Sequence, residues 1–185
     1  MVDELIRLDK DFFIFLNGLG SSPFDNLWLM ITKQFNWAPF FIAIFYLLQR
    51  KIGWKNIGIV ILFLALLITA TDQITNLFKN GFQRLRPCSD PEINEFIRIV
   101  KSSKTFSFFS GHASNSTAST VFIFLIIRTY YKHTYLLFLF PLIFAYSRIY
   151  LGLHFPLDIA SGYVFGIIIG FIFYKLYCLF IKKTE

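Results

Sequence analysis

Lys79 with Arg86-Pro87, then Ser110-Gly111-His112, then Ser147-Arg148 with His154 and Asp158, occur in that order near the ends of apolar segments. Three fixed cations can neutralise a phosphoryl group, two imidazoles can supply a nucleophile and a mobile proton, and one carboxylate can orient an imidazole. No single pair is decisive. The ordered set reads as a phosphate site with its own nucleophile.

Each block has a local physical logic. Lys79 and Arg86 are seven residues apart, which places them on roughly one helix face if the helix extends that far, and Pro87 biases Arg86 toward an extended conformation. Lysine offers a point charge and arginine a flat fork that fits two phosphate oxygens. Gly111 at a helix start lets backbone amides approach an anion, with the positive end of the helix dipole behind them. His154 and Asp158 are four apart, close enough for the carboxylate to hold one ring nitrogen and leave the other free to attack. Blander readings exist for the pieces: a histidine capping an interfacial helix for His112, and a basic loop lying at anionic headgroups for Arg98, Lys101 and Lys104.

The elements that must position these residues are set by composition. Of the 185 residues, 56% are hydrophobic and 20% aromatic, too apolar for a soluble domain of this length. We expect one integral-membrane domain over residues 1–185, an all-α polytopic helix bundle of about five to six helices. Residues 3–17 space Leu5, Leu8, Phe12, Phe13 and Leu16 as an amphipathic helix lying in the interface. The stretch 24–50, broken by Lys33, Gln34, Asn36 and Pro39, predicts a surface helix followed by a short span. Further spans are expected at about 55–78, 112–130, 134–151 and 156–181. Asp72 inside the second is expected to fix a helix contact, and Ser114, Ser116, Thr117, Ala118 and Ser119 to let helices approach closely.

Charge gives orientation rather than a partner. The net charge of +7 would raise nucleic acid for a soluble chain, but the basic residues lie at span ends and in one loop, so nucleic acid is excluded. Arg50, Lys51 and Lys55, then Arg128 and Lys132, then Lys182-Lys183 mark an inner face, which leaves the three motif regions facing outward. The loop 79–112 is itself basic and breaks that rule, which suggests that its cations serve a ligand. Cys88 and Cys178 fall on opposite sides and are not expected to pair. No cleaved signal peptide is expected.

The three blocks, spanning residues 79–158, resemble the signature of the type 2 phosphatidic acid phosphatase superfamily, in its membrane-bound bacterial lipid phosphatase branch. The usual middle block has proline before Ser-Gly-His, where this chain has Phe109, a departure that touches loop rigidity more than chemistry. The family usually shows six membrane helices, a count in which the opening helix can be included. The resemblance implies attack by His154 on phosphorus to give a phosphohistidine, with Asp158 orienting the imidazole. In that reading His112 protonates the leaving oxygen and later deprotonates water, while Lys79, Arg86, Ser110, the Gly111 amide and Arg148 hold the phosphoryl oxygens.

No Asp, Glu, His or Cys cluster has metal-ligand spacing, so no metal or other cofactor is expected. The expected partners are a lipid phosphate substrate and membrane lipids, with no obligate protein partner evident. The expected location is a bacterial inner membrane with the site toward the periplasm or exterior. Undecaprenyl pyrophosphate, phosphatidylglycerol phosphate, phosphatidic acid and lipid A phosphate all suit a site at the outer face; undecaprenyl pyrophosphate is favoured, with lipid A phosphate the alternative, since the compact loop 88–110 offers little surface for a large saccharide head. A haloperoxidase would need a soluble, polar-surfaced body. A non-catalytic binder or transporter of lipid phosphate could use the same cations, but would not need His154 and Asp158 at this spacing.

Overall fold

The computed structural model describes residues 2–184, which form six α-helices and, among the described residues, no strand. In order these are α1 (Val2–Gly18), α2 (Asp25–Ile31), α3 (Ala38–Phe82), α4 (Gly111–Ile127), α5 (Leu139–Tyr150) and α6 (Pro156–Thr184). The stretches Gln34–Ser89 and Pro156–Lys183 are each long and apolar enough to cross a membrane.

α3 is two helices rather than one. Gly53 sits at φ 78°, ψ 171°, outside helical geometry and in a region that favours glycine, and there the helix breaks. The first arm places Phe41 against Phe140 and ends where Leu47 O accepts from the Tyr131 hydroxyl. The second arm carries Phe63 against Phe122 and then brings Lys79 beside Gly111, so the arms run in opposite directions. Over the stretch 24–50 the chain thus forms the short helix α2 and then the first arm of α3, and the second arm runs beyond the expected 55–78 to Phe82.

α4 is the central helix, buried around most of its circumference from Ala113 to Ile127, which explains how 17 residues suffice where a lipid-facing span needs about 20. Its small residues meet a glycine stripe on α6. A methyl group added at Gly162, Gly166 or Gly170 would lie 2.8 Å from Ser110 O, 2.7 Å from Ser114 O or 2.6 Å from Ala118 O, closer than carbon and oxygen pack. The expectation of small residues for close approach holds for Ser114, Thr117 and Ala118, which these glycines face. Asp72 accepts from Asn115 Nδ2 at 2.6 Å, a bond between α3 and α4, as the helix-contact reading required.

α1 is amphipathic in the opposite sense to a soluble helix. Leu5, Ile6, Leu8, Phe12 and Phe15 point outward, while Asp9, Phe13 and Asn17, four apart in turn, are buried against the protein. Asn17 Nδ2 donates to the carbonyls of Arg98, Ile149 and Tyr150, and Asn17 Oδ1 accepts from Arg98 N, so α1 is tied to the loop before α4 and to the end of α5. Cys88 and Cys178 are both free thiols.

Candidate active site

The site lies where the second arm of α3, the start of α4, the end of α5 and the start of α6 converge. The helix does not carry Lys79 and Arg86 on one face: α3 stops at Phe82, and Gln83 adopts the left-handed conformation at φ 49°. Arg86 instead reaches in from extended backbone, with Pro87 behind it opening a single 3-10 turn. Its buried guanidinium is held on three sides. Nε donates to Thr105 O at 2.7 Å, Nη2 to Thr105 Oγ1 at 2.9 Å and Nη1 to Leu153 O at 2.9 Å.

The same Nη1 stands 3.0 Å from His154 Nε2. An arginine carries donors only, so the nitrogen facing it must present a lone pair. The ring proton then belongs on Nδ1, which lies 3.3 Å from Asp158 Oδ2 and donates to it. Asp158 is fully buried and also accepts from Phe155 N at 3.0 Å, so the carboxylate is fixed by the backbone of the turn it orients. Burial, and then the charges of Arg86, Arg148, Lys79 and Arg84, hold the His154 imidazole well below the ordinary histidine range. His154 is therefore neutral, with its Nε2 lone pair turned toward Arg86.

The turn carrying His154 is built by Gly152, whose φ of 83° places it in the left-handed region and whose missing Cβ would meet Arg98 O at 3.0 Å. Leu153 N and His154 N both donate to Arg148 O, which locks this turn onto the last turn of α5. Arg148 itself is buried, and its Nη1 donates to Thr32 Oγ1 at 2.7 Å. Its buried Nε has no hydrogen-bond partner among the described residues, and an anionic oxygen would satisfy it.

On the opposite wall, Gly111 opens α4. The Lys79 ammonium nitrogen lies 3.8 Å from where a Gly111 Cβ would stand, so the glycine leaves room for the lysine beside the helix N-terminus. His112 follows, its ring stacked on Phe144 at 4.9 Å and within electrostatic reach of Arg148, His154, Lys79 and Arg86. Ser110 is fully buried and caps α4, its Oγ accepting from Ala113 N at 3.3 Å, while its own N donates to Asp158 O at 3.0 Å. Its principal role is thus to join α4 to α6, with one hydroxyl proton left to offer a ligand. Phe109, in the place where proline was expected, is buried among Phe78, Phe108 and Phe165, so ring packing supplies the rigidity.

Two expectations about the loop need correction. Arg98 is engaged by the protein: its guanidinium pairs with Asp25 at 2.8 Å and lies over the Tyr150 ring, pinning the loop to α2 and α5. Arg84 serves the protein as well, bridging Asp9 at 2.6 Å and Asp158 at 2.7 Å. Thr32, Thr105, Asp9 and Arg84 are site-supporting residues that the motif spacing did not reveal.

The PAP2 superfamily profile matches residues 57–181, which takes in every candidate residue from Lys79 to Asp158. A lipid A 4′-phosphatase of Bacteroides thetaiotaomicron is 32% identical, over 94% of this chain and 79% of its own length. A lipid A 4′-phosphatase of Porphyromonas gingivalis is 27% identical, over 95% of this chain and 75% of its own. The crystal structure of a transmembrane PAP2-type phosphatidylglycerolphosphate phosphatase from Bacillus subtilis superposes with a TM-score of 0.71 at 17% identity, covering 98% of this chain and 88% of that one.

Proposed function

Because the chain belongs to the PAP2 superfamily, and is thus a membrane-embedded lipid phosphatase, we propose that it removes a phosphate from lipid A by way of a phosphohistidine at His154. The observation that carries the chemistry is the line Asp158, His154, Arg86: a carboxylate on Nδ1 and a guanidinium opposite an unprotonated Nε2.

The steps balance as follows. His154 Nε2 attacks phosphorus, the bond from phosphorus to the lipid oxygen breaks, and His112 gives that oxygen its proton. Arg86, Lys79 and Arg148 hold the equatorial oxygens, and the Gly111 amide at the start of α4 adds a backbone donor. Water then attacks the phosphohistidine while His112 takes its proton, the N–P bond breaks, and inorganic phosphate leaves with His154 neutral again. None of these steps calls on a metal ion.

Similarity along nearly the whole chain to two lipid A 4′-phosphatases favours lipid A over undecaprenyl pyrophosphate, for which no relative speaks specifically. A saccharide head can stand in water beyond the membrane face, so a compact loop does not by itself oppose it. A cavity of about 170 Å³ lined by Phe41, Ile68, Asn115, Phe140 and Phe144, the last stacked on His112, gives an apolar seat beside the site that suits an acyl tail. The purified protein in detergent, with EDTA present, should release phosphate from lipid A at least about tenfold faster than from phosphatidylglycerol phosphate, phosphatidic acid or undecaprenyl pyrophosphate. A reversed ranking would overturn the substrate and leave the chemistry standing.

The site faces the periplasm or exterior of a bacterial inner membrane in this reading. Arg50, Lys51, Lys55, Arg128, Lys132, Lys182 and Lys183 gather at the end of the bundle away from the site, as cytoplasmic basic residues do. A protease site inserted between Cys88 and Ser103 should be cut from outside intact cells; protection there with cutting in inverted vesicles would reverse the orientation.

A further inference from the structure

We infer that Asp9 and Arg84 are positioning residues for the nucleophile, so that the opening helix, through one arginine, sets the aim of His154. This rests on the reading of His154 as the nucleophile and of Asp158 as its orienting carboxylate.

Asp158 uses its two oxygens differently. Oδ2 faces His154 Nδ1 and Phe155 N, whereas Oδ1 accepts from Arg84 Nη1 at 2.7 Å. Arg84 therefore fixes the rotation of the carboxylate from the side that His154 does not use. The guanidinium lies over the Phe155 ring with its central carbon 4.1 Å from the ring centre, and its other fork, Nη2, donates to Asp9 Oδ2 at 2.6 Å. With both forks bonded and one face stacked, the planar group has a single orientation.

Asp9 completes the frame. Its side chain is buried, and its second oxygen accepts from Leu157 N at 2.8 Å, one residue before Asp158 in the first turn of α6. That contact fixes α1 to the same turn that carries the orienting carboxylate. There is also an electrostatic reason for a second carboxylate. An arginine given wholly to Asp158 would neutralise it and weaken its hold on the Nδ1 proton, while one shared with Asp9 leaves Asp158 a charged, strong acceptor. Neither Asp9 nor Arg84 bonds the imidazole, so apart from the field of the Arg84 charge, which Arg84→Lys keeps, each acts through Asp158.

The test is steady-state phosphate release from lipid A in detergent, per mole of folded protein, for Arg84→Gln, Arg84→Lys, Asp9→Asn and the double variant Asp9→Asn/Arg84→Gln, with His154→Ala alongside. Arg84→Gln should lower kcat about a hundredfold with KM changed by less than about threefold, and Arg84→Lys should recover about tenfold of that loss. Asp9→Asn should lower kcat about tenfold in the native background and less than about twofold once Arg84 is gone, because its influence travels through the arginine. If Arg84→Gln does not yield folded protein, the Lys and Asn variants decide, both losing kcat at constant KM.

Wild-type kcat in Arg84→Gln or Asp9→Asn, a loss confined to KM, or strictly multiplicative effects in the double variant would overturn the inference. Turnover surviving in His154→Ala would instead remove the nucleophile reading on which it stands. Loss in His154→Ala with wild-type kcat at Arg84 would sink the positioning role alone.

Discussion

Replacing His154 with alanine will abolish phosphate release, lowering kcat by at least about 10⁴-fold while the protein keeps its fold and much of its affinity for the lipid. The size follows from what the residue supplies. It is the buried imidazole whose lone pair is exposed to the site by a fixed tautomer, with Asp158 on one nitrogen and the donor-only Arg86 opposite the other. Removing it leaves the cations in place. With Arg86, Arg148 and Lys79 proposed to carry the affinity, a phosphate-bearing lipid should still bind, and the loss should appear in kcat rather than KM. A protein that only binds or carries lipid phosphate would behave in the opposite way, with function intact in the alanine variant. Equilibrium binding of a radiolabelled lipid phosphate alongside turnover separates the two, and wild-type turnover in the variant would end the catalytic reading.

Arg86→Lys should be almost as damaging as Arg86→Ala, each lowering kcat/KM by about 10³-fold. A charge-conserving change is harmless where only charge matters. Here the guanidinium spends three separate nitrogens on Thr105 O, Thr105 Oγ1 and Leu153 O, and still presents Nη1 to His154 Nε2. A lysine has one nitrogen and a flexible stem, so it can reach one of those partners and gives up the rest, together with the Nη2 hydrogen still left for a phosphoryl oxygen. The contrast with Arg84→Lys, expected to recover part of its activity, is informative because Arg84 bonds two carboxylates and no reacting atom. Initial rates over a range of lipid concentrations for Arg86→Lys, Arg86→Ala and Arg84→Lys measure both. An Arg86→Lys variant within tenfold of wild type would mean that charge alone suffices at this position.

Much of the site was legible because its residues sit at helix ends that sequence marks well. Pro156 opens α6 and carries Asp158 in the first turn, Gly111 opens α4 beside Lys79, and Arg148 closes α5, so periodicity and breakers together placed the blocks. The helical bundle followed from the apolar content, and Asp72 as a helix contact followed from the cost of a lone carboxylate in a span.

What sequence did not reveal was the far partner of each charge. Asp9 and Asp158 are joined by Arg84 only because α1 folds back onto the start of α6, and no local rule encodes that return. One signal was present: Asp9, Phe13 and Asn17 recur every four residues, a face with polar groups at both ends. Read as a soluble helix, the charged face points to water; in a membrane protein the polar face is the one that needs the protein, and the leucines and phenylalanines of α1 are free to meet lipid. Arg98 was misread for a related reason. A basic loop at an outer face suggests a ligand, yet Asp25 on the short helix α2 neutralises this one. Gly53 divides α3 inside the polar run from Arg50 to Asn56, where the sequence already marked a boundary between spans; what it did not mark was the continuation of the second arm past residue 78 to Phe82.

The most direct measurement of the central claim is capture of the covalent intermediate. Lipid labelled with ³²P is mixed with the protein for a single turnover, quenched in alkali where phosphohistidine survives, and the labelled peptide sequenced by mass spectrometry, in wild type, His154→Ala and His112→Ala. The account predicts label on His154 in wild type, label on His154 that forms more slowly and persists longer in His112→Ala, which lacks both the acid for the leaving oxygen and the base for water, and none in His154→Ala. Release of phosphate with no label on the protein at any time, or label on a residue other than His154, would contradict it.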